Sequence, residues 1–208
     1  SKVTDMSYMF QNCKYLVSLN VSRFNTHLVT DMQFMFSSLS GINSLDLKNF
    51  DTKNIVSMMM MFQGMNSLTS LDLTSFDTSN VVDMYKMFDS CNGLKSLDLS
   101  NFKTSKTEDF GSMFQGCSNL QTLKIQHFDS SNVIDMFSMF EGCSSLTSLD
   151  LSHFRTSKVT DFSGMFKRCS SLAYLNIEYF DASLVRDCAS MFENCVKLTS
   201  VDLSKFNP

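Results

Sequence analysis

The sequence predicts an α/β solenoid: a right-handed stack of eight 26-residue repeats, with one parallel β-sheet on one side and a row of short helices on the other. Three observations predict it. The first is self-similarity at a fixed period. The apolar centre of a recurring Ser-Leu-Asp-Leu motif falls at Leu19, Leu45, Leu71, Leu97, Leu123, Leu149, Leu175 and Val201, each 26 residues after the last, without insertion or deletion. The second is invariance inside that period: position 9 is Met in every copy, and positions 10 and 24 are Phe in every copy. The third is a change of hydrophobic period within each copy, from about 100° per residue to about 180°.

The copies are 1–26, 27–52, 53–78, 79–104, 105–130, 131–156, 157–182 and 183–208, read together as a single repeat domain. Within each, positions 3, 6, 9, 10 and 13 are apolar, except Thr107 at position 3 of copy five, and share one face at helical spacing, which predicts a short amphipathic helix. Asp at position 5 (Asp5, Asp31, Asp83, Asp109, Asp135, Asp161, Asp187) stands where that helix would need an N-terminal cap. Gly or Asn at position 12 (Asn12, Gly64, Gly116, Gly142, Asn194) suits a left-handed stop. Positions 19 and 21 are apolar between polar neighbours, the alternation of a strand buried on one side. Asp-Thr at positions 25 and 26 provides the turn back. No copy can bury its apolar face alone, so stacking neighbours must close the core.

Composition limits the function. An apolar fraction of 43% with 18% charged residues is ordinary globular material. A net charge of −4 argues against nucleic acid, whose recognition needs clustered Lys and Arg. The longest apolar run, Met58 to Phe62, is far short of a membrane span. No secretory leader opens the sequence, so an export signal would have been removed or lie outside it. The first copy keeps Met6, Met9 and Phe10 and the last keeps Leu203 and Phe206, where a terminal repeat would carry a polar cap. The expectation is a fragment of a longer array, or flanking chain that supplies the caps.

The run Leu68-Thr-Ser-Leu71-Asp-Leu73 resembles a leucine-rich repeat, with Phe76 where that repeat usually has Asn. With the Val-x-Asp-Met-x-x-Met-Phe-x-x-Cys half, the whole chain closely resembles the BspA-like surface repeats of host-associated bacteria and some protists. The resemblance implies a leucine-rich-repeat solenoid at the cell surface or outside the cell, with adhesion as its proposed role. Binding residues in that family form no transferable motif. Local departures are Ser57 for the position-5 Asp, Leu39 and Met65 for the position-13 Cys, and Lys124 for the position-20 Asp.

No constellation in the sequence demands chemistry. Six of the seven Cys occupy position 13, a site that also accepts Leu39 and Met65, so they read as buried free thiols. A disulfide ladder would need Cβ atoms closer than parallel rungs about 4.8 Å apart allow, and no Cys-x-x-Cys spacing suggests zinc. Thirteen of the sixteen Met fill positions 6 and 9, at core spacing. The stripe Asp46, Asp72 and Asp98 is expected on the open strand face, where calcium would want six to eight oxygens. A solvated acidic stripe needs no ion. His127 and His153 share position 23, which elsewhere takes Arg23, Asn49, Ser75, Asn101, Tyr179 and Lys205, the variety of a free surface. Phosphate loops, nucleophile elbows and zinc-protease motifs are absent, so the reading is non-enzymatic, without catalytic residues, metal or cofactor.

A partner should sit where outward positions depart from the repeat. On the strand face, copy five departs at Lys124, Gln126 and His127, and copy seven at Tyr174, Glu178 and Tyr179. These residues predict a contact with a protein or glycan, host-derived ligands among them. On the opposite side, Tyr8, Phe34, Met59, Met60 and Tyr85 form an apolar strip at positions 7 and 8, which predicts lateral packing or self-association. A structural spacer or self-assembling surface protein is the alternative function.

Overall fold

The computed structural model describes residues 2–207. Its order is that of a stack. Parallel bridges join Asp5 to Asp31, Asp31 to Ser57, Ser57 to Asp83, and onward through Asp109, Asp135 and Asp161 to Asp187. Each partner is the same repeat position one copy later, so the 26-residue period is the rise of the solenoid.

The expected row of short helices is corrected: among the described residues there is no α-helix. Positions 6 to 13 form two successive four-residue turns. In copy three the first closes with Met61 N–H donating to Met58 O (3.1 Å), and the second with Met65 N–H donating to Phe62 O (3.3 Å). The third residue of each turn has positive φ: Met60 at 53° and Gly64 at 70°. Positive φ at the third residue alone is the geometry of a type II turn. Every copy repeats it, at position 8 from Tyr8 (60°) to Ser190 (58°) and at position 12 from Asn12 (62°) to Asn194 (62°). A right-handed helix has no place for such residues.

The backbone donors explain why turns prevail. The N–H groups at positions 6, 8, 10 and 12 donate across to the next copy: Met58 to Asp83 O, Met60 to Tyr85 O, Phe62 to Met87 O and Gly64 to Asp89 O, at 2.7–3.0 Å. The N–H groups at 9, 11 and 13 close turns within the copy. Alternate donors therefore point along the stack, and none is left for the i→i−4 ladder of a helix. Position-5 Asp does not cap a helix. Its Oδ1 accepts the N–H two residues on, as in Asp83 from Tyr85 (2.8 Å) and Asp135 from Phe137 (2.8 Å).

The single sheet is corrected as well. Among the described residues there are four three-residue strands: β1 (Ser96–Asp98), β2 (Thr122–Lys124), β3 (Ser148–Asp150) and β4 (Tyr174–Asn176). β1 pairs with β2 and β3 with β4, both parallel and offset by one repeat, with Leu97 opposite Leu123 and Leu149 opposite Leu175. The two pairs are separate sheets, and among the described residues no strand pairing joins copies five and six.

The core lies between the two sides. Position-10 rings form a spine, Phe10–Phe36–Phe62–Phe88–Phe114–Phe140–Phe166–Phe192, with centroids 5.6–5.9 Å apart and planes within 12° of parallel. Met35, Met61, Met87, Met113, Met139 and Met165 are fully buried beside it. The position-26 hydroxyls are buried too. Thr104 Oγ1 donates to Asp129 O (2.9 Å) and accepts Asp129 N–H (2.7 Å), satisfying both backbone groups of a single residue in the next copy. Thr26, Thr52, Thr78 and Thr156 repeat this clamp.

Candidate functional site

The thiols lie as a buried column on the turn side. Cys91, Cys117, Cys143 and Cys169 are buried and unbridged, and Cys195 is partly covered. Each Sγ donates to the position-10 carbonyl of the preceding copy at 3.0–3.1 Å: Cys91 to Phe62, Cys117 to Phe88, Cys143 to Phe114, Cys169 to Phe140 and Cys195 to Phe166. Burial pushes Cys117 and Cys169 up to about 12, and Cys91 and Cys143 well above the usual thiol value. A protonated sulfur that donates to a carbonyl is a poor nucleophile and a poor metal ligand. Cys13 and Cys188 are exposed.

The acidic residues of the strand side are turn formers. Asp46, Asp72 and Asp98 are exposed, and each Oδ1 accepts the N–H two residues on: Lys48 (3.2 Å), Thr74 (3.1 Å) and Ser100 (3.0 Å). The Thr74 hydroxyl holds the Asp72 carboxyl below its usual range, and Lys124, then Ser100, do so for Asp98. Position-25 Asp acts in the same way on the following turn, as in Asp129 accepting Ser131 N–H (3.0 Å). No group of three or more His, Cys, Asp or Glu is arranged for a metal among the described residues.

The strand-face residues singled out by sequence fall in two places. Lys124 ends β2, where its Nζ lies 2.8 Å from Asp98 Oδ2 on β1. Gln126 and His127 are exposed just beyond it. Tyr174 opens β4 and is 55% exposed; Glu178 and Tyr179 follow, and Tyr179 is 45% exposed. Copy six separates the two groups, and β2 and β3 do not pair, so the structure does not join them into one patch. His153, between them, is partly buried, with Nε2 3.1 Å from Ile125 O and its ring edge-on to Phe154. Burial lowers its pKa.

Around Tyr179 the structure adds two residues that the sequence reading missed. Arg155 Cζ lies 5.2 Å and Lys205 Nζ 4.4 Å from the ring centroid, one on the preceding copy and one on the following copy. Lys205 also reaches Glu178 Oε1 at 3.5 Å. Cations at these distances are attracted to the ring face. Arg155 stands at position 25, where Asp is usual, and that departure was the available signal. Beside this cluster, Tyr174, Asn176, Glu178, Ser200 and Asp202 line a shallow groove over Leu175 and Val201.

The turn-side strip is less continuous than expected. Tyr8 (52% exposed) stacks on Phe34 at 4.7 Å and 12°. Phe34, Met59, Met60 and Tyr85 are half-buried. Tyr85 turns away from that pair toward Phe137, two copies on, at 5.9 Å. The rings meet because position 7 of the intervening copy is Gly111, where a Cβ would lie 2.8 Å from Phe137 Cε1.

Comparison with known proteins returns solved leucine-rich-repeat structures. A leucine-rich repeat protein from Bacteroides ovatus is 18% identical, with 97% of this chain and 67% of that chain covered at a TM-score of 0.33. One from T. pallidum is 16% identical, with 83% and 72% covered at 0.39. A leucine-rich cell surface protein from Faecalibacterium prausnitzii is 15% identical, with 97% and 81% covered at 0.26. All three are bacterial leucine-rich-repeat proteins, as the resemblance to BspA-like repeats implies, and at these scores the likeness carries no residue roles. No curated protein sequence matches the chain. No helix among the described residues is long and apolar enough to cross a membrane. The family model described as "Mycoplasma protein of unknown function, DUF285" matches residues 1–97 and 83–206, and the chain belongs to that family.

Proposed function

We propose that the chain is a non-catalytic binding module that recognises a protein or glycan through its strand-bearing face, as an adhesion element at the cell surface or outside the cell. The observation that carries the reading is Tyr179, half-exposed yet held between Arg155 and Lys205. A ring fixed before contact loses little side-chain freedom on binding, and exposed Tyr with flanking cations is efficient contact chemistry. Tyr174 and Glu178 extend the contact along β4 and its turn. Lys124, Gln126 and His127 form a second contact about two rungs, or roughly 10 Å, away. The test is a surface-immobilised panel of host matrix proteins, mucins and glycans, with the chain itself as one analyte. Saturable binding should be lost when Tyr174, Glu178, Tyr179 and Lys124 are replaced together, and unchanged affinity refutes the assignment.

A second reading, a spacer or self-assembling surface protein, is favoured by the Tyr8–Phe34 stack with Met59, Met60 and Tyr85 alongside. On that reading binding in the panel is to the chain itself. Replacing Tyr8, Phe34 and Met60 with Ser abolishes it, and intact self-association refutes the strip as the contact.

A further inference from the structure

Position 5 places carboxylates in register through the middle of the stack. Asp83, Asp109 and Asp135 are bridged in sequence on copies four, five and six. Parallel rungs lie about 4.8 Å apart, too close for charges to ignore each other away from bulk water. Each carboxylate accepts one backbone N–H, Asp109 from Gly111 at 2.7 Å. No ion pair reaches any of the three among the described residues.

The middle one of the three, Asp109, lies beside a local cover. The Tyr85 and Phe137 rings close over Gly111, two residues beyond Asp109, and a Cβ on Gly111 would lie 3.0 Å from Asp109 Oδ1. Ser112, the next residue, is fully buried and its hydroxyl has no protein partner. The titratable groups around Asp109 are Asp83 and Asp135 on the adjoining rungs, exposed Glu108 beside it, and Tyr85 in the cover. Lys86 lies against the Tyr85 ring, 5.4 Å from its centroid. Copy three shows what a neutral hydroxyl does in this column: Ser57 Oγ donates along the ladder to Asp83 Oδ2 at 3.4 Å.

We propose that the Asp83–Asp109–Asp135 ladder under the Tyr85–Phe137 cover is a proton-sensitive brace, which tightens the middle rungs when solvent supplies a proton to its centre. A protonated Asp109 removes one charge from a row of three and becomes a donor along the stack, as Ser57 already is. Burial, then the charges of Asp135 and Asp83, lift Asp109 to about 6, and burial raises Asp83 and Asp135. A carboxyl that holds its proton more tightly folded than unfolded favours folding below its unfolded value and loses that contribution as pH rises through its folded value. The brace therefore weakens between about pH 4 and pH 6.

The experiment is urea unfolding of the 208-residue chain at about pH 5 and about pH 7.5, beside Asp109→Asn. The parent midpoint should fall with rising pH. Asp109→Asn should raise the midpoint at the higher pH and flatten the difference, with Asp98→Asn leaving that difference unchanged. Carbon-detected titration of the parent is the independent check, and it does not depend on a variant folding. An Asp109 midpoint above about 5 that falls in Tyr85→Ser/Phe137→Ser supports the brace. An ordinary Asp109 midpoint, or an Asp109→Asn chain with the parent's pH dependence, overturns it.

Discussion

The two sides of the solenoid are held to very different standards. On the turn side every junction between successive copies carries the same cross-stack bonds from positions 8, 10 and 12, from Tyr8 N–H to Gln33 O through Arg168 N–H to Glu193 O, over an unbroken ring spine. On the strand side, among the described residues, three-residue strands pair only between copies four and five and between copies six and seven. The repeat is thus specified where it turns. The strand face is left free to exchange Asp for Lys124 or Ser for Tyr174, which is where a recognition surface has room to change.

Five substitutions test that contrast. Phe114→Ala at the middle of the spine should cost about 3–5 kcal/mol, and Leu123→Ala on half-buried β2 about 2 kcal/mol, in urea unfolding. Equal losses would erase the distinction between the sides. Thr104→Val strands Asp129 N–H and Asp129 O and should cost about 1–3 kcal/mol by thermal unfolding, whereas a near-neutral result would mean that the clamp is dispensable. Ser38→Gly should go the other way, stabilising by up to about 1 kcal/mol, because Ser38 sits at φ 58° in the second turn of its copy. A loss there would mean that the serine side chain, not the backbone, governs the site. Lys124→Ala, an exposed partner of Asp98, should leave the unfolding midpoint where it is, and a clear drop would show the strand side to be specified as tightly as the turn side.

The period, the inward columns and the outward Asp stripe were legible because they repeat: the same apolar positions recur in copies that differ elsewhere. The helices were misread for a reason that lies at position 8. Apolar residues at 3, 6, 9, 10 and 13 fit a helix, but 6, 9, 10 and 13 fit equally two tight turns whose first and last residues face inward. Gly and Asn marked the left-handed position 12 correctly. The matching signal four residues earlier, at Ser112, Ser138, Gly164 and Ser190, was masked by Tyr8, Phe34, Met60 and Lys86 occupying the same backbone conformation. The Tyr179 clamp was hidden differently. Lys205 shares the Tyr179 column, but Arg155 reaches the ring from position 25 of the preceding copy, and reading columns one at a time cannot see a diagonal contact. The Tyr85–Phe137 contact skips a copy altogether and depends on one glycine.

The thiol column makes the stack a clock for its own opening. A reagent that needs thiolate meets Cys13 and Cys188 at the surface, while Cys91, Cys117, Cys143 and Cys169 stay silent as long as their rungs remain closed. Because these four stand on successive copies, the order in which they become labelled would show whether the array frays from its ends or parts in the middle.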